Sequence, residues 1–149
     1  MENEQVSEIE AAIPHRSPML LIDEIVEKSD KSIQCRKNFR EDEFFVQGHF
    51  PGQPLVPGVI LCESAMQAGA ILLSSLGKDG IEPEQQTVPV ATRLDAVKFK
   101  RMVRPGDTID LNITLNEVVS NAYFLTGKVT VGGKLAARLD FACTLAPAE

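Results

Sequence analysis

The stretch from Gly58 to Leu76 reads G-V-I-L-C-E-S-A-M-Q-A-G-A-I-L-L-S-S-L, and Gly77 follows as a natural helix stop. At 1.5 Å per residue the spacing predicts a helix about 30 Å long. Its apolar residues occupy every side rather than one stripe, and such a helix is buried all round, in a core or a membrane. Glu63 and Gln67 interrupt the run and charged loops do not flank it, so a membrane span is not expected. Ala65, Ala68, Gly69 and Ala70 are small, which lets another layer pack close to the axis. A sheet wrapped round the helix would meet both conditions.

The remaining sequence supplies that sheet. Ile109, Leu111, Ile113 and Leu115 alternate with Asp110, Asn112, Thr114 and Asn116. Tyr123, Leu125, Val129 and Val131 follow, Gly132-Gly133 forms a two-residue hairpin turn, and Leu135, Ala137, Leu139, Phe141, Cys143 and Leu145 complete a meander. One face is apolar and the other polar, as in an antiparallel sheet packed on one side. Leu20–Glu27 and Lys31–Phe39 read as two earlier strands, with Ile33, Cys35 and Phe39 on one face. Val88–Lys100 reads as a long strand whose Pro89 marks an edge or bulge, and Lys78–Gln86 as a polar surface connection. Near the start, Ser7 and Glu10 fit a capping box for a short helix ended by Pro14, with Val6, Ile9 and Ile13 as its buried stripe. The sum is one α+β domain over residues 1–149, an antiparallel sheet wrapped around one central helix. Open sheet edges invite a second copy, so a dimer is expected.

Two residues stand in chemically awkward places. Glu63 lies inside the apolar helix, where an ionised carboxylate is costly unless paired. It is either a hydrogen-bonded partner of Gln67 one turn on, or a carboxyl group poised for proton transfer. His49 lies in a loop held by Pro51 and Pro54, nine residues before the helix N-terminus. A lone loop histidine is either a surface residue or a preorganised base. The first N–H groups of the helix, at Gly58 and Val59, are free to receive developing negative charge. His15 and Arg16, between Pro14 and Pro18, are either catalytic or, as the favoured reading, structural, their side chains bonding nearby carbonyls.

The run Gly48-His49-Phe50-Pro51-Gly52-x-Pro54-x-x-Pro57-Gly58-Val59-x-x-x-Glu63-x-x-x-Gln67 resembles the active-site signature of the 3-hydroxyacyl-[acyl carrier protein] dehydratases of the FabZ type. Three further blocks, in order, resemble the same family: Ile13 to Asp23, Asn38-Phe39 with Glu43-Phe44-Phe45, and Asp95 to Arg101 followed by Val103-Arg104-Pro105-Gly106-Asp107. Together they span about residues 6 to 145. The resemblance implies a hotdog fold and dehydration of a (3R)-3-hydroxyacyl thioester to the trans-2-enoyl thioester in fatty acid biosynthesis. His49 would be the base, the Gly58 N–H the oxyanion donor, and Glu63 the acid or the group that positions the leaving water. Gln67 would set the state of Glu63. The resemblance also implies that His49 and Glu63 come from different subunits of a homodimer, with a trimer of dimers as a larger assembly. The family's dehydratase–isomerases carry aspartate at the position of Glu63, so glutamate favours simple dehydration.

The substrate would arrive on acyl carrier protein, tethered to phosphopantetheine, and no metal or other cofactor is implied. Lys98, Lys100, Arg101 and Arg104 form a basic cluster in a chain of net charge −6. They read equally as a docking site for an acidic carrier or as a lysine-protected strand edge. Lys98 and Lys100, as alternate strand residues, would share a face. Thr87-Val88-Pro89-Val90 stands where the family often has aromatic residues. The negative charge argues against nucleic-acid binding. Cys35, Cys62 and Cys143 form no metal or disulfide pattern, and the acidic N-terminus has no apolar leader core, which points to the cytoplasm. Two alternatives stay open: a hotdog acyl thioesterase using the same helix terminus, and a non-catalytic carrier-binding subunit, which would need neither His49 nor Glu63.

Overall fold

Helix α1 (Glu2–Ala12) is followed by strands β1 (Glu24–Lys28) and β2 (Ser32–Asn38), then helix α2 (Gly58–Ser74) and strands β3 (Thr87–Phe99), β4 (Thr108–Val119), β5 (Ala122–Val131) and β6 (Lys134–Pro147). The computed structural model describes residues 2–76 and 87–147, with side chains from residue 4. The expected stop at Gly77 and the connection Lys78–Gln86 therefore lie outside the described residues.

The six strands form one antiparallel sheet in the order β1-β2-β4-β5-β6-β3. Its inner face is the alternation read from sequence: Ile109, Leu111, Ile113, Leu125, Val129, Ala137, Leu139 and Phe141 are all buried. The sheet wraps α2, which gives the hotdog arrangement. Close approach depends on the small residues. A methyl group on Gly69 would stand 2.7 Å from the Phe141 ring, and one on Gly127 would stand 3.3 Å from the Ala65 Cβ. Gly132 and Gly133 both have positive φ, 57° and 81°, and close the β5–β6 hairpin in the conformation glycine adopts without strain.

Several sequence expectations are corrected. Helix α1 starts well before Ser7, which lies in its middle, so Ser7 and Glu10 do not form a capping box. Ile9 and Ile13 are buried, but Val6 is 40% exposed, because it faces a groove between α1 and the β1 edge. Strand β1 begins at Glu24 rather than Leu20. The Leu21 N–H donates instead to the Gln67 side chain at 2.8 Å, so α2 takes the hydrogen bond a strand would have used. Helix α2 ends at Ser74, where the Ser74 and Ser75 hydroxyls bond the carbonyls of Ile71 and Leu72 at 2.7 and 2.9 Å. Nor is α2 buried all round. Val59 in its first turn is 71% exposed.

Strand β3 is an edge, as Pro89 indicated, with register shifts at Ala91/Arg93 and Asp95/Lys98. It is exposed along most of its length, including Val90, Leu94 and Phe99. No described helix is long and apolar enough to cross a membrane.

Candidate active site

The chain from Arg40 to His49 climbs in short turns. The Glu43, Val46 and His49 N–H groups donate to the carbonyls three residues back, at 3.4, 3.0 and 3.0 Å. A buried ion pair holds the foot of this staircase. Lys37 Nζ donates to Glu43 Oε1 at 2.8 Å, and the Arg40 N–H donates to Glu43 Oε2 at 2.9 Å. Lys37 shares the inward face of β2 with Ile33 and Cys35, a position where sequence alternation anticipates an apolar residue. Its ammonium also lies 3.7 Å from Asp23 Oδ1 and 5.6 Å from the centre of the Phe39 ring.

His49 is fixed by its own loop. The Leu55 N–H donates to the His49 carbonyl at 2.7 Å, and His49 Nδ1 lies 3.0 Å from the Leu55 carbonyl oxygen. A carbonyl oxygen only accepts, so Nδ1 carries the proton and Nε2 is left as a bare lone pair. Between these two feet, Phe50 and Gln53 pair N–H to carbonyl in both directions at 3.1 and 3.0 Å, and Gly52 turns the tip with φ 77°. The Phe50 ring stacks on the imidazole, their centroids 4.3 Å apart.

His49 lines a cavity of about 870 Å³ together with Gly58 and Val59, the first residues of α2. Pro57 precedes the helix and no side chain caps it, so its first N–H groups are available to an anion. Val56, just before, is anchored by its N–H to the Val103 carbonyl at 2.8 Å. Phe99 from the β3 edge presses on Gly58, where a methyl group would stand 2.7 Å from the ring. Lys100, Arg101 and Arg104 also line this cavity. Among the described residues none of these three, nor Lys98, forms an ion pair. Strand β3 ends at Phe99, so Lys100 is not the strand partner of Lys98. Its N–H and that of Arg101 both turn to the Ala136 carbonyl.

Glu63 lies outside the lining of this cavity, on another part of α2, with its side chain 32% exposed. The hydrogen bond from Gln67 Nε2 to Glu63 Oε2 is present at 3.0 Å. Gln67 itself is 1% exposed and fully engaged: its Oε1 accepts from the Leu21 N–H and its Nε2 donates to the Met19 carbonyl, both at 2.8 Å. One chain thus brings His49, Gly58 and Val59 together around the cavity, and places Glu63 with Gln67 outside its lining.

The PHR turn divides differently from expectation. Arg16 is structural, bonding the carbonyls of Glu10, Ile13 and His15 and pairing with Glu10. His15 bonds no carbonyl; its Nε2 stands 3.7 Å from Glu63 Oε2. Cys62, beside Glu63, belongs to the core, where burial pushes its thiol up and away from nucleophilic use.

A family model described as FabA-like domain matches residues 13–140. A 3-hydroxyacyl-[acyl-carrier-protein] dehydratase FabZ of Oenococcus oeni is 42% identical over 135 residues, covering 90% of this chain and 94% of that protein. The chain belongs to the FabA-like family, as a FabZ-type dehydratase. Similar FabZ proteins come from Burkholderia cenocepacia, 34% identical over 99% of this chain and 94% of that one, and Aromatoleum aromaticum, 36% identical over 94% and 96%. A structure titled the dehydratase heterocomplex ApeI:P from Xenorhabdus doucetiae matches with TM-score 0.79 at 17% identity, covering 95% of this chain and 91% of that one. It supports the hotdog fold of this FabZ-type chain.

Proposed function

We propose that this protein removes water from a (3R)-3-hydroxyacyl thioester carried on acyl carrier protein, giving the trans-2-enoyl thioester in fatty acid biosynthesis. The observation that carries the reading is the His49 tautomer beside an uncapped helix start: a histidine with a bare Nε2 and the first residue of the helix, Gly58, line the same cavity. Nε2 takes the α-proton, and the electron pair moves into the thioester carbonyl. The enolate-like oxygen is held by the Gly58 N–H and the helix dipole, with Val59 beside it. The carbonyl re-forms, the α–β double bond forms, and the β C–O bond breaks. Glu63 protonates the departing hydroxyl or positions it, so that water leaves. The balance needs no metal or redox cofactor, only the phosphopantetheine that carries the substrate.

A homodimer with shared sites accounts for the position of Glu63 outside the cavity that His49 lines. Exposed Val59, Phe99 and Met102 mark one half, and the bare β3 edge lies beside it. Exposed apolar surface and an unpaired edge together favour a second copy. The partner copy would bring its Glu63 to the first chain's His49. Lys100, Arg101 and Arg104 at the cavity rim fit an acidic carrier protein. The three buried thiols fit a reducing cytoplasm.

The test follows enoyl formation, or its reversal from a crotonyl thioester, in wild type, His49→Ala and Glu63→Gln. Each variant is expected to lose activity by orders of magnitude. Co-expression of the two variants then restores turnover, because a mixed dimer holds one site with both native side chains. Recovery absent in verified mixed dimers overturns the shared site. Thioester hydrolysis by the wild type without enoyl product replaces dehydration with hydrolysis.

A further inference from the structure

We infer that His15 is a positioning residue for Glu63. With Gln67 it holds a single carboxylate oxygen, Oε2, and leaves Oε1 as the oxygen that meets the substrate hydroxyl. The inference rests on the role of Glu63 in the dehydration proposed above.

Gln67 sets the geometry first. Its Oε1 must accept, because the Leu21 N–H only donates, and its Nε2 must donate, because the Met19 carbonyl only accepts. The amide therefore cannot flip, and the group it presents to Glu63 is always N–H. That N–H falls on Oε2 at 3.0 Å. The carbonyl oxygen of a neutral carboxyl is its better acceptor, so the fixed N–H on Oε2 favours Oε1 as the oxygen that carries the proton when Glu63 is protonated. Among the described residues Oε1 accepts no hydrogen bond.

His15 approaches the same oxygen from the turn after α1. Its Nε2 is 3.7 Å from Glu63 Oε2, while its Nδ1 is buried with no hydrogen-bond partner. A proton on Nδ1 would bury an unpaired N–H donor, which folded proteins avoid more strictly than an unpaired acceptor. The proton of neutral His15 therefore resides on Nε2, facing the carboxylate. At 3.7 Å this contact is longer than a hydrogen bond. It is a dipole directed at Oε2 that a small side-chain rotation closes, as contacts at reaction centres often tighten on substrate binding. Two N–H groups from different elements, one on α2 and one on the turn at residue 15, converge on one oxygen. Together they limit rotation of the carboxylate and leave Oε1, which accepts no hydrogen bond among the described residues, for the substrate. The turn itself is held by Arg16, whose bonds to Glu10, Ile13 and the His15 carbonyl fix the backbone that carries the imidazole.

The test compares His15→Leu, which fills the space and donates nothing, with His15→Gln, which restores an N–H of similar reach. Both are made in the full chain. His15→Leu is expected to lower kcat about tenfold with KM within about twofold, because the chemistry loses orientation rather than binding. Its thermal midpoint stays at the wild-type value, and His15→Gln recovers most of the rate. Crystal structures of wild type and His15→Leu supply a readout independent of turnover: the Glu63 carboxylate keeps one orientation in the first and rotates in the second. If His15→Leu does not fold, His15→Asn, whose amide is too short to reach Oε2, replaces it. A wild-type kcat in His15→Leu, equal losses in the Leu and Gln variants, or an unmoved carboxylate overturns the inference. A wild type that forms no enoyl product overturns the dehydration reading instead, and the crystal structures then decide the positioning of Glu63 alone.

Discussion

The ring of Phe99, at the end of an edge strand, lies against the Cα of Gly58, the first residue of the central helix. A methyl group at Gly58 would stand 2.7 Å from Cε1 and 2.8 Å from Cζ of that ring. Glycine is therefore required by contact across two elements. Gly58→Ala is expected to displace the ring or the helix start and to lower kcat roughly 100-fold, the scale of an ångström-sized misplacement. Adding Phe99→Ala to the same chain removes the clash and restores much of the rate. Steady-state kinetics on the two variants check this, and equal activity of the single and double variants counts against it.

Lys37 and Glu43 form an ion pair that is almost wholly out of water, at 2% and 8% exposure. Removing one partner strands the other charge in the core. Lys37→Met is expected to cost about 3–5 kcal/mol of stability in urea unfolding. Lys37→Met with Glu43→Leu removes both charges and costs distinctly less. An additive double variant would show that the two charges do not depend on each other.

If Lys100, Arg101 and Arg104 on the cavity wall dock the carrier, as proposed, recognition and chemistry separate in kinetics. Lys100→Glu with Arg101→Glu is expected to raise KM for a carrier-linked substrate about tenfold or more, and to steepen no step for a short thioester mimic. The ratio of the two KM values is the measurement. A parallel change for both substrates assigns these residues to the acyl pocket, and no change assigns them to protection of the strand edge.

Burial pushes the Cys35 thiol up to about 12 and the Cys143 thiol to about 11, from an ordinary 9.0. Both folded values lie above the unfolded one, so this contribution to stability is complete below about pH 9. It is lost as pH rises from 9 toward 11 and 12, because the unfolded chain ionises first. Each thiol adds at most about 1.4 kcal/mol per pH unit to that decline. Urea midpoints between pH 8 and 10.5 are expected to fall less steeply in Cys35→Ala than in wild type. Cys35 is also expected to resist alkylation in the folded protein at pH 8.

The parts of the fold legible in the sequence are those set by short-range periodicity. The alternation from Ile109 to Leu115 and the Gly132-Gly133 turn needed no knowledge of distant residues. Lys37 shows where that reading stops. Alternation assigns it to the inner face, but only its ion pair with Glu43, six residues on in a loop, explains how a lysine resides there. The apolar run to Leu76 overshoots the end of α2 at Ser74 by two residues, because hydrophobic composition marks a helix interior and not its last turn.

In the site, the Glu63–Gln67 hydrogen bond was legible from helical spacing. The tautomer of His49 was not, because it depends on the Leu55 carbonyl returning past the loop tip. That Glu63 does not line the cavity that His49 lines was not legible from local pattern; only the family resemblance led to the expectation that the two residues come from different subunits. The nearness of His15 to Glu63 was not legible for a related reason: it joins positions 48 residues apart in the chain, and no local pattern reports it.

The loop that presents His49 is tied at both feet, by the Leu55 N–H to the His49 carbonyl and by the imidazole to the Leu55 carbonyl, while the backbone groups of Phe50 and Gln53 pair with each other. Such a clip is a module. Beyond Phe50, whose ring stacks on the imidazole, its tip can drift or be rewritten over evolutionary time without disturbing His49. Novelty in this enzyme is therefore cheapest at Pro51-Gly52, a few residues from its least negotiable atom.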